Sequence, residues 1–247
     1  MSEGPSKRER VVAMFGRLAP GYDRLNTVLS FGLHHRWRRI AVRQCAFPPG
    51  GRLLDVGAGT ADFIIATIGP DGPGADGGTA VGVDPCEPML RVGATKLGAR
   101  GLSQRAHLVV GEAECLPVRD DSFDCATIGF TLRNVTDVDA TFREMARAVK
   151  PGGRVVSLEI AKPEGWLMRP LFFFYFYRLS PWLAQAFGGE RQGYEYLPDS
   201  LKAFKSRAEL TDSMRRAGLV DVRVLNLTGG VVCVHVGTKA GAGTGAS

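Results

Sequence analysis

The chain has 247 residues, of which 45% are hydrophobic, 23% charged and 9% aromatic. This ordinary globular mixture excludes a disordered chain, a collagen and a disulfide scaffold, and the length suits one large domain or two small ones. The net charge is +6, and the whole surplus lies in residues 1–43, which hold nine basic and three acidic side chains.

Residues 8–45 place apolar side chains at helical spacing (Val11, Val12, Phe15, Leu18, then Leu25, Val28, Leu29), interrupted at Pro20-Gly21. Two or three short helices are expected there. Arg52–Val56 reads as a buried strand, Thr60–Ile68 as a helix, Ala80–Asp84 as a strand and Met89–Gly98 as a helix. Ala106–Val110, Cys125–Gly129 and Arg154–Ile160 read as strands, with Asp137–Val149 helical between the last two. A helix over Glu209–Ala217 precedes two β-rich runs, Val222–Leu227 and Val231–Gly237, joined by the hairpin signal Thr228-Gly229-Gly230. Alternating strands and helices predict an α/β fold with a mostly parallel sheet covered on both faces. The domain plan is an N-terminal helical arm (1–45), a catalytic domain (46–238) with an aromatic-rich covering insert (161–205), and a loose tail (239–247). The glycine- and proline-rich stretch 69–78 is expected to be a flexible surface loop.

The five cysteines (Cys45, Cys86, Cys115, Cys125, Cys233) are scattered with no CxxC pair, which predicts reduced thiols in a cytoplasmic protein. The first 20 residues carry no apolar leader core. The most apolar stretch, 166–187, is broken by Arg169, Pro170, Arg178 and Pro181, so no membrane span is expected. The dense cluster Arg36, Arg38, Arg39, Arg43 reads either as a solvated helix face or as a patch for phosphate, of nucleic acid or an anionic lipid surface. Trp37 is alone there as a base-stacking aromatic, which argues against RNA.

Asp55-Val-Gly57-Ala-Gly59-Thr60-Ala61-Asp62 follows a strand and opens a helix, and Asp84 ends the next strand. Glycines there let a ligand approach the backbone, and an acid at the end of the second strand can accept hydrogen bonds from ribose hydroxyls. Two cofactor classes fit this layout. A dinucleotide would need glycine at position 62, where the Asp62 carboxylate would repel its pyrophosphate. S-adenosylmethionine has no phosphate and tolerates Asp55 and Asp62. An adenine could lie against Gly111–Pro117, which follows the third strand.

These residues, together with Val12–Phe15, Ala19-Pro-Gly-Tyr22-Asp23-Arg-Leu-Asn26, Leu29–Gly32, His35–Arg38 and Asp84-Pro85-Cys-Glu-Pro-Met89-Leu, carry a resemblance. Phe130-Thr-Leu-Arg133-Asn134-Val-Thr-Asp137, Lys150–Arg154, Leu158–Pro163, Tyr194–Leu197 and Asn226–Val232 extend it over about residues 10–238. The chain resembles the ubiquinone/menaquinone biosynthesis C-methyltransferases, class I S-adenosylmethionine enzymes acting on polyprenylated quinol precursors. The resemblance implies a Rossmann-like fold with a seven-stranded sheet and a C-terminal antiparallel hairpin. It implies cofactor contacts at Asp55, Gly57, Gly59, Thr60, Asp84, Pro85, Met89, Glu112, Ala113 and Gly129, and no metal. The family usually has glycine at position 61, a hydroxyl residue at 129 and often asparagine at 112. Demethylmenaquinol is the expected substrate. The alternatives are 2-polyprenyl-6-methoxy-1,4-benzoquinol or another small molecule.

C-methylation of a quinol needs loss of a phenolic proton, stabilisation of the phenolate and orientation of the pair. Arg133 and Asn134 are the candidates for phenolate stabilisation and water positioning, with a salt bridge to a helix carboxylate as the other reading of Arg133. Tyr22, Asp23 and Asn26 read as a lid, or as a helix cap and a packed ring. Asp62 is a candidate acid near the transferred methyl, or a charge favoured at a helix N-terminus. His235 reads as a core residue, and His34 and His35 as surface residues without metal-ligand spacing. The run Leu171–Tyr177 is either core packing or an apolar, membrane-facing path for an isoprenoid tail. With the basic arm, the second reading gives a peripheral contact with an anionic membrane, and a homodimer could form through the insert.

Overall fold

The computed structural model describes residues 6–163, 165–166, 168–180, 200–201 and 204–241. The 194–197 segment, most of the 161–205 insert and residues 242–247 of the tail lie outside these described residues. Three helices open the chain: α1 (Lys7–Leu18), α2 (Tyr22–Leu29) and α3 (Leu33–Arg43). A capping box starts α1, with the Ser6 side chain accepting from the Glu9 N–H and Glu9 reaching back to the Ser6 N–H. Pro20-Gly21 closes a single 3-10 turn between α1 and α2, as the proline and glycine predict.

Alternation then begins: β1 (Arg52–Val56), α4 (Asp62–Ile68), β2 (Thr79–Asp84), α5 (Glu87–Ala99), β3 (Ala106–Val110), β4 (Phe123–Gly129), α6 (Val138–Ala148) and β5 (Val149–Ile160). After α7 (Met168–Phe174) and a π-helical turn at Tyr175–Leu179 come α8 (Arg207–Arg216), β6 (Leu219–Leu227) and β7 (Val232–Lys239). The sheet order is β3-β2-β1-β4-β5-β7-β6. Strands β1 to β5 are parallel, and β7 runs antiparallel to both β5 and β6. The order reverses between β1 and β4, so the crevice beyond the carboxyl ends of these strands is the expected ligand position.

Several boundaries differ from the sequence reading. The helix after the glycine turn starts at Asp62, because Ala61 takes a left-handed conformation at φ 65°. Strand β5 begins five residues early, and β6 three. Residues 69–78 are not a free loop. The Arg105 guanidinium donates to the carbonyls of Gly78 (2.8 Å) and Gly74 (2.5 Å), and both glycines are buried against Phe47.

Two cores flank the sheet. One joins Leu53, Ile64, Ile68, Val156 and Val234 to Trp37, Ala41 and Val42 of α3. The other packs Phe142 and Met145 of α6 and Leu210 and Met214 of α8 onto Leu54, Ala126 and Val155. Helix α3 is thus built into the core, and the Trp37 indole N–H donates to the Thr228 hydroxyl at 2.8 Å. This leaves α1 and α2 as the part of the arm that covers the site. Among the described residues, no helix is long and apolar enough to cross a membrane.

Gly129, at the end of β4, is set by packing. A Cβ there would run into the ring of Phe63 on α4, so the aromatic residue explains why a hydroxyl side chain is missing. Gly129→Ser is expected to cost about 1–3 kcal/mol. Phe63→Leu in the same chain should restore part of that loss, as measured by urea unfolding. An undiminished midpoint in Gly129→Ser would contradict this packing.

Candidate active site

Past β1 the chain turns through Gly57 (φ 66°) and Gly59 (φ 50°). The N–H groups of Gly57 and Ala58 both donate to the Val83 carbonyl, at 2.7 and 3.1 Å, so the turn is clamped to the end of β2. A side chain on Gly57 would collide with Thr131. Asp84 completes the clamp: its Oδ2 accepts the Gly59 N–H at 2.9 Å and its Oδ1 the Cys86 N–H at 2.8 Å. Burial raises the Asp84 pKa, and the two backbone hydrogen bonds pull it back. Each oxygen keeps lone-pair capacity for a further donor, which suits a pair of vicinal hydroxyls.

These residues border a cleft. From the sheet side it is lined by Asp55, Gly57, Gly59, Thr60, Asp62, Asp84, Pro85, Met89, Gly129, Thr131 and Asn134. From the arm come Val11, Val12, Phe15, Tyr22 and Asn26. Helices α1 and α2 therefore roof the cleft with apolar side chains and one phenol. The phenol of Tyr22 has its pKa raised by burial, with a hydrogen bond to Asn26 and the charges of Arg133 and Arg38 acting the other way.

A charge network holds the roof down. Lys96 of α5 donates to Asp23 of α2 (2.6 Å), to Asp62 of α4 (2.5 Å) and to the Thr60 hydroxyl (3.1 Å). The Thr60 hydroxyl donates to Asp23 at 2.6 Å, and Arg38 of α3 lies 3.1 Å from Asp62. Two cations and two anions from four helices thus meet beside the glycine turn. At the other end of the roof, Arg8 of α1 pairs with Glu112 at 2.6 Å.

The structure brings together most of the residues picked from the sequence, with corrections. Glu112 and Ala113 do not line the cleft, and Glu112 is turned to Arg8 instead. The Thr60 side chain is engaged in the network, which leaves its backbone for a ligand. Asp62 is held as an anion: burial opposes its charge, but Arg38 and Lys96 outweigh that and lower its pKa. It is a fixed charge rather than a proton donor. Arg38 is 7% exposed, so the arginine cluster is not all surface, and Asp23 is a latch rather than a mere helix cap.

His34 is also buried rather than exposed. It shares a 2.7 Å hydrogen bond with Ser30, and burial and Arg38 push its pKa down to about 4. His235 is a core residue of β7, as expected. The Arg133 side chain is 8% exposed, and its partner is a strand carboxylate, Glu159 of β5, at 3.4 Å. Sequence reasoning missed Lys96 and Glu159. A lysine on an amphipathic helix and a glutamate within an apolar strand give no local signal of such partners.

A glycine turn after β1, an acid ending β2 and an antiparallel hairpin closing a parallel sheet together define the class I methyltransferase fold. Residues 4–239 match the model of the ubiE/COQ5 methyltransferase family, and the chain belongs to that family. It is 44% identical to the demethylmenaquinone methyltransferase of Roseiflexus sp. (strain RS-1), over 95% of both chains. It is 41% identical to the ubiquinone/menaquinone biosynthesis C-methyltransferase UbiE of Geobacter sp. (strain M21), over 94% of this chain and 97% of that one. Among solved structures, a SAM-dependent methyltransferase from Thermotoga maritima aligns with a TM-score of 0.61 at 24% identity, covering 92% of this chain and 98% of that one.

Asp55 provides a pH test of the site. It is 1% exposed, and burial pushes its pKa up to about 7, against the 2.8 Å hydrogen bond from Thr127 and the Arg38 charge. An acid whose pKa rises on folding stabilises the fold while protonated and loses that contribution as pH rises through the folded value. Glu159, also raised to about 7, acts in the same direction. The melting temperature is therefore expected to fall between pH 5 and pH 8. Asp55→Asn should flatten that fall and be the more stable protein at pH 8. Parallel pH profiles for the two proteins would contradict the buried acid.

Proposed function

We propose that the chain transfers a methyl group from S-adenosylmethionine to a ring carbon of demethylmenaquinol. The observation that supports this best is one cleft in which Asp84 and the glycine turn, on one side, face the start of the 130–134 loop under an apolar roof. The names of relatives 44% and 42% identical over 95% of the chain point the same way. The residues present fit the cofactor: Asp84 for the ribose hydroxyls, Gly57 and Gly59 for close approach, and Asp55 for a cationic ligand. When bound, S-adenosylmethionine supplies a methyl group on a positively charged sulfur.

The chain's own task is to make the acceptor carbon nucleophilic. Loss of the neighbouring phenolic proton to a water molecule does this, a cation with an amide beside the oxygen stabilises the resulting anion, and after methyl transfer the ring proton leaves to water and the phenol is restored. Arg133 and Asn134 are the groups we assign to it. Tyr22, protonated because burial disfavours its anion, is a further donor from the roof. The arm excludes water, which strengthens these interactions.

The same reading gives the exposed apolar side chains a task. Phe31, Leu171, Phe174 and Trp166 are 67%, 58%, 60% and 87% exposed. The Phe31 ring lies 6.0 Å from that of Tyr175, whose hydroxyl donates to the Leu29 carbonyl, so the α2–α3 loop and the insert share a face. Arg36 and Arg39 stand exposed on α3 next to it. Aromatic tips flanked by cations suit an anionic bilayer surface, where a polyprenylated quinol resides.

With methyl-labelled S-adenosylmethionine and chemically reduced acceptors, label is expected in the naphthoquinol. Label in the methoxybenzoquinol as well would make the enzyme serve both pathways, in line with the double name of the Geobacter relative. Label in neither, with the cofactor bound, would refute the reading. Cosedimentation with phosphatidylglycerol vesicles is expected at low salt and should weaken at high salt, as screening requires. No binding at low salt would count against the membrane contact.

A further inference from the structure

The carboxylate of Glu159 has no part in the chemistry described so far, yet it is among the most heavily tied groups near the cleft. It sits one residue from the end of β5, opposite Cys233 of β7, and is fully buried. Its Oε1 accepts the Leu132 N–H at 2.8 Å, and the Thr131 N–H also bonds to the carboxylate. Its Oε2 lies 3.4 Å from Nη1 of Arg133. Three consecutive residues of the 130–134 loop therefore converge on one side chain.

That loop needs an anchor. Phe130 enters it at φ 55°, a left-handed conformation that is strained for a bulky residue and must be imposed by its surroundings. Phe130, Thr131 and Asn134 line the cleft, and the Arg133 charge acts on the ionisation of the Tyr22 phenol. The Arg133 side chain is 8% exposed, and its buried Nε has no hydrogen-bond partner among the described residues. A buried guanidinium N–H without an acceptor is costly unless a ligand supplies one.

We propose that Glu159 is a positioning residue: it fixes the 130–134 loop and aims the Arg133 guanidinium at the oxygen of the quinol. The assignment rests on the quinol reading above. It explains why an ionisable group is kept in an otherwise apolar strand end. A carboxylate can accept from two backbone N–H groups and a guanidinium at once. Glutamine has one acceptor oxygen, and its NH2 would face donors on one of the two sides.

The test uses Glu159→Gln, Arg133→Ala and the double variant, each checked for folding by thermal unfolding. Glu159→Gln is expected to lower kcat about tenfold to a hundredfold, the scale of a misplaced catalytic group. The Kd for S-adenosylmethionine should move less than about twofold, because the loss is confined to catalysis. The double variant should lose much less than the product of the two single losses, since Glu159 acts largely through that side chain. Hydrogen exchange of the 130–134 amides should quicken in Glu159→Gln, with no quinol needed to read it. An unchanged kcat, losses that multiply in the double variant, a Kd that weakens in step with kcat, or unchanged exchange would overturn the proposal. If Glu159→Gln does not fold, Glu159→Asp replaces it with the same expectations. A wild-type enzyme that binds the cofactor but methylates neither quinol would refute the substrate reading, and the exchange rates would then decide the role of Glu159.

Discussion

Four charges decide whether this chain has a closed site at all. Asp23, Lys96, Asp62 and Arg38 come from α2, α5, α4 and α3 and meet beside the glycine turn, with Thr60 between them. Lys96 and Arg38 are mostly removed from water, at 18% and 9% side-chain exposure. Partly desolvated ions need one another, because losing one partner strands the rest at a cost of a few kcal/mol. The network therefore couples the roof to the turn that the roof covers. Other ties of α1 and α2 include the Arg8–Glu112 pair at the surface, the Tyr175 hydroxyl on the Leu29 carbonyl, and a small apolar contact around Ala19, Cys86 and Met89. Exposed pairs of that kind contribute little.

The chemistry that follows is a division of labour along the carboxyl edge of the sheet. The ends of β1 and β2 supply glycines and acids suited to a nucleoside with a cationic substituent. The ends of β4 and β5 supply a cation held by a buried anion, suited to an oxygen that gains negative charge. The buried acids Asp55 and Glu159, both pushed up to about 7, are costly to keep charged, and such groups gather where function requires them. The framework alone does not set the reaction, and the side chains at the strand ends must.

Most of the fold was legible because its signals are local. Leu53, Leu54 and Val56 form an apolar run that ends in glycine, and Asp84 closes a second such run, so strands, turn and acid could be read in order. The hairpin was legible from Thr228-Gly229-Gly230 for the same reason. What escaped depends on contacts distant in sequence. Lys96 meets Asp23, 73 residues away, and Glu159 meets Arg133, 26 residues away. Arg38 looked like one of a run of exposed arginines because its burial is set by α4, not by its neighbours. Gly129 departs from the family's hydroxyl residue, and a Cβ there would meet the Phe63 ring, a contact no local pattern shows. Glu112 matched a sequence position but faces the arm.

If the arm closes over the cofactor through this network, bound S-adenosylmethionine must change the exposure of the arm. Hydrogen–deuterium exchange of residues 11–29, with and without S-adenosylmethionine, reads this. The cofactor is expected to slow exchange in α1 and α2 together with the glycine turn at 57–61. Protection of the turn with unchanged exchange in both arm helices would contradict it.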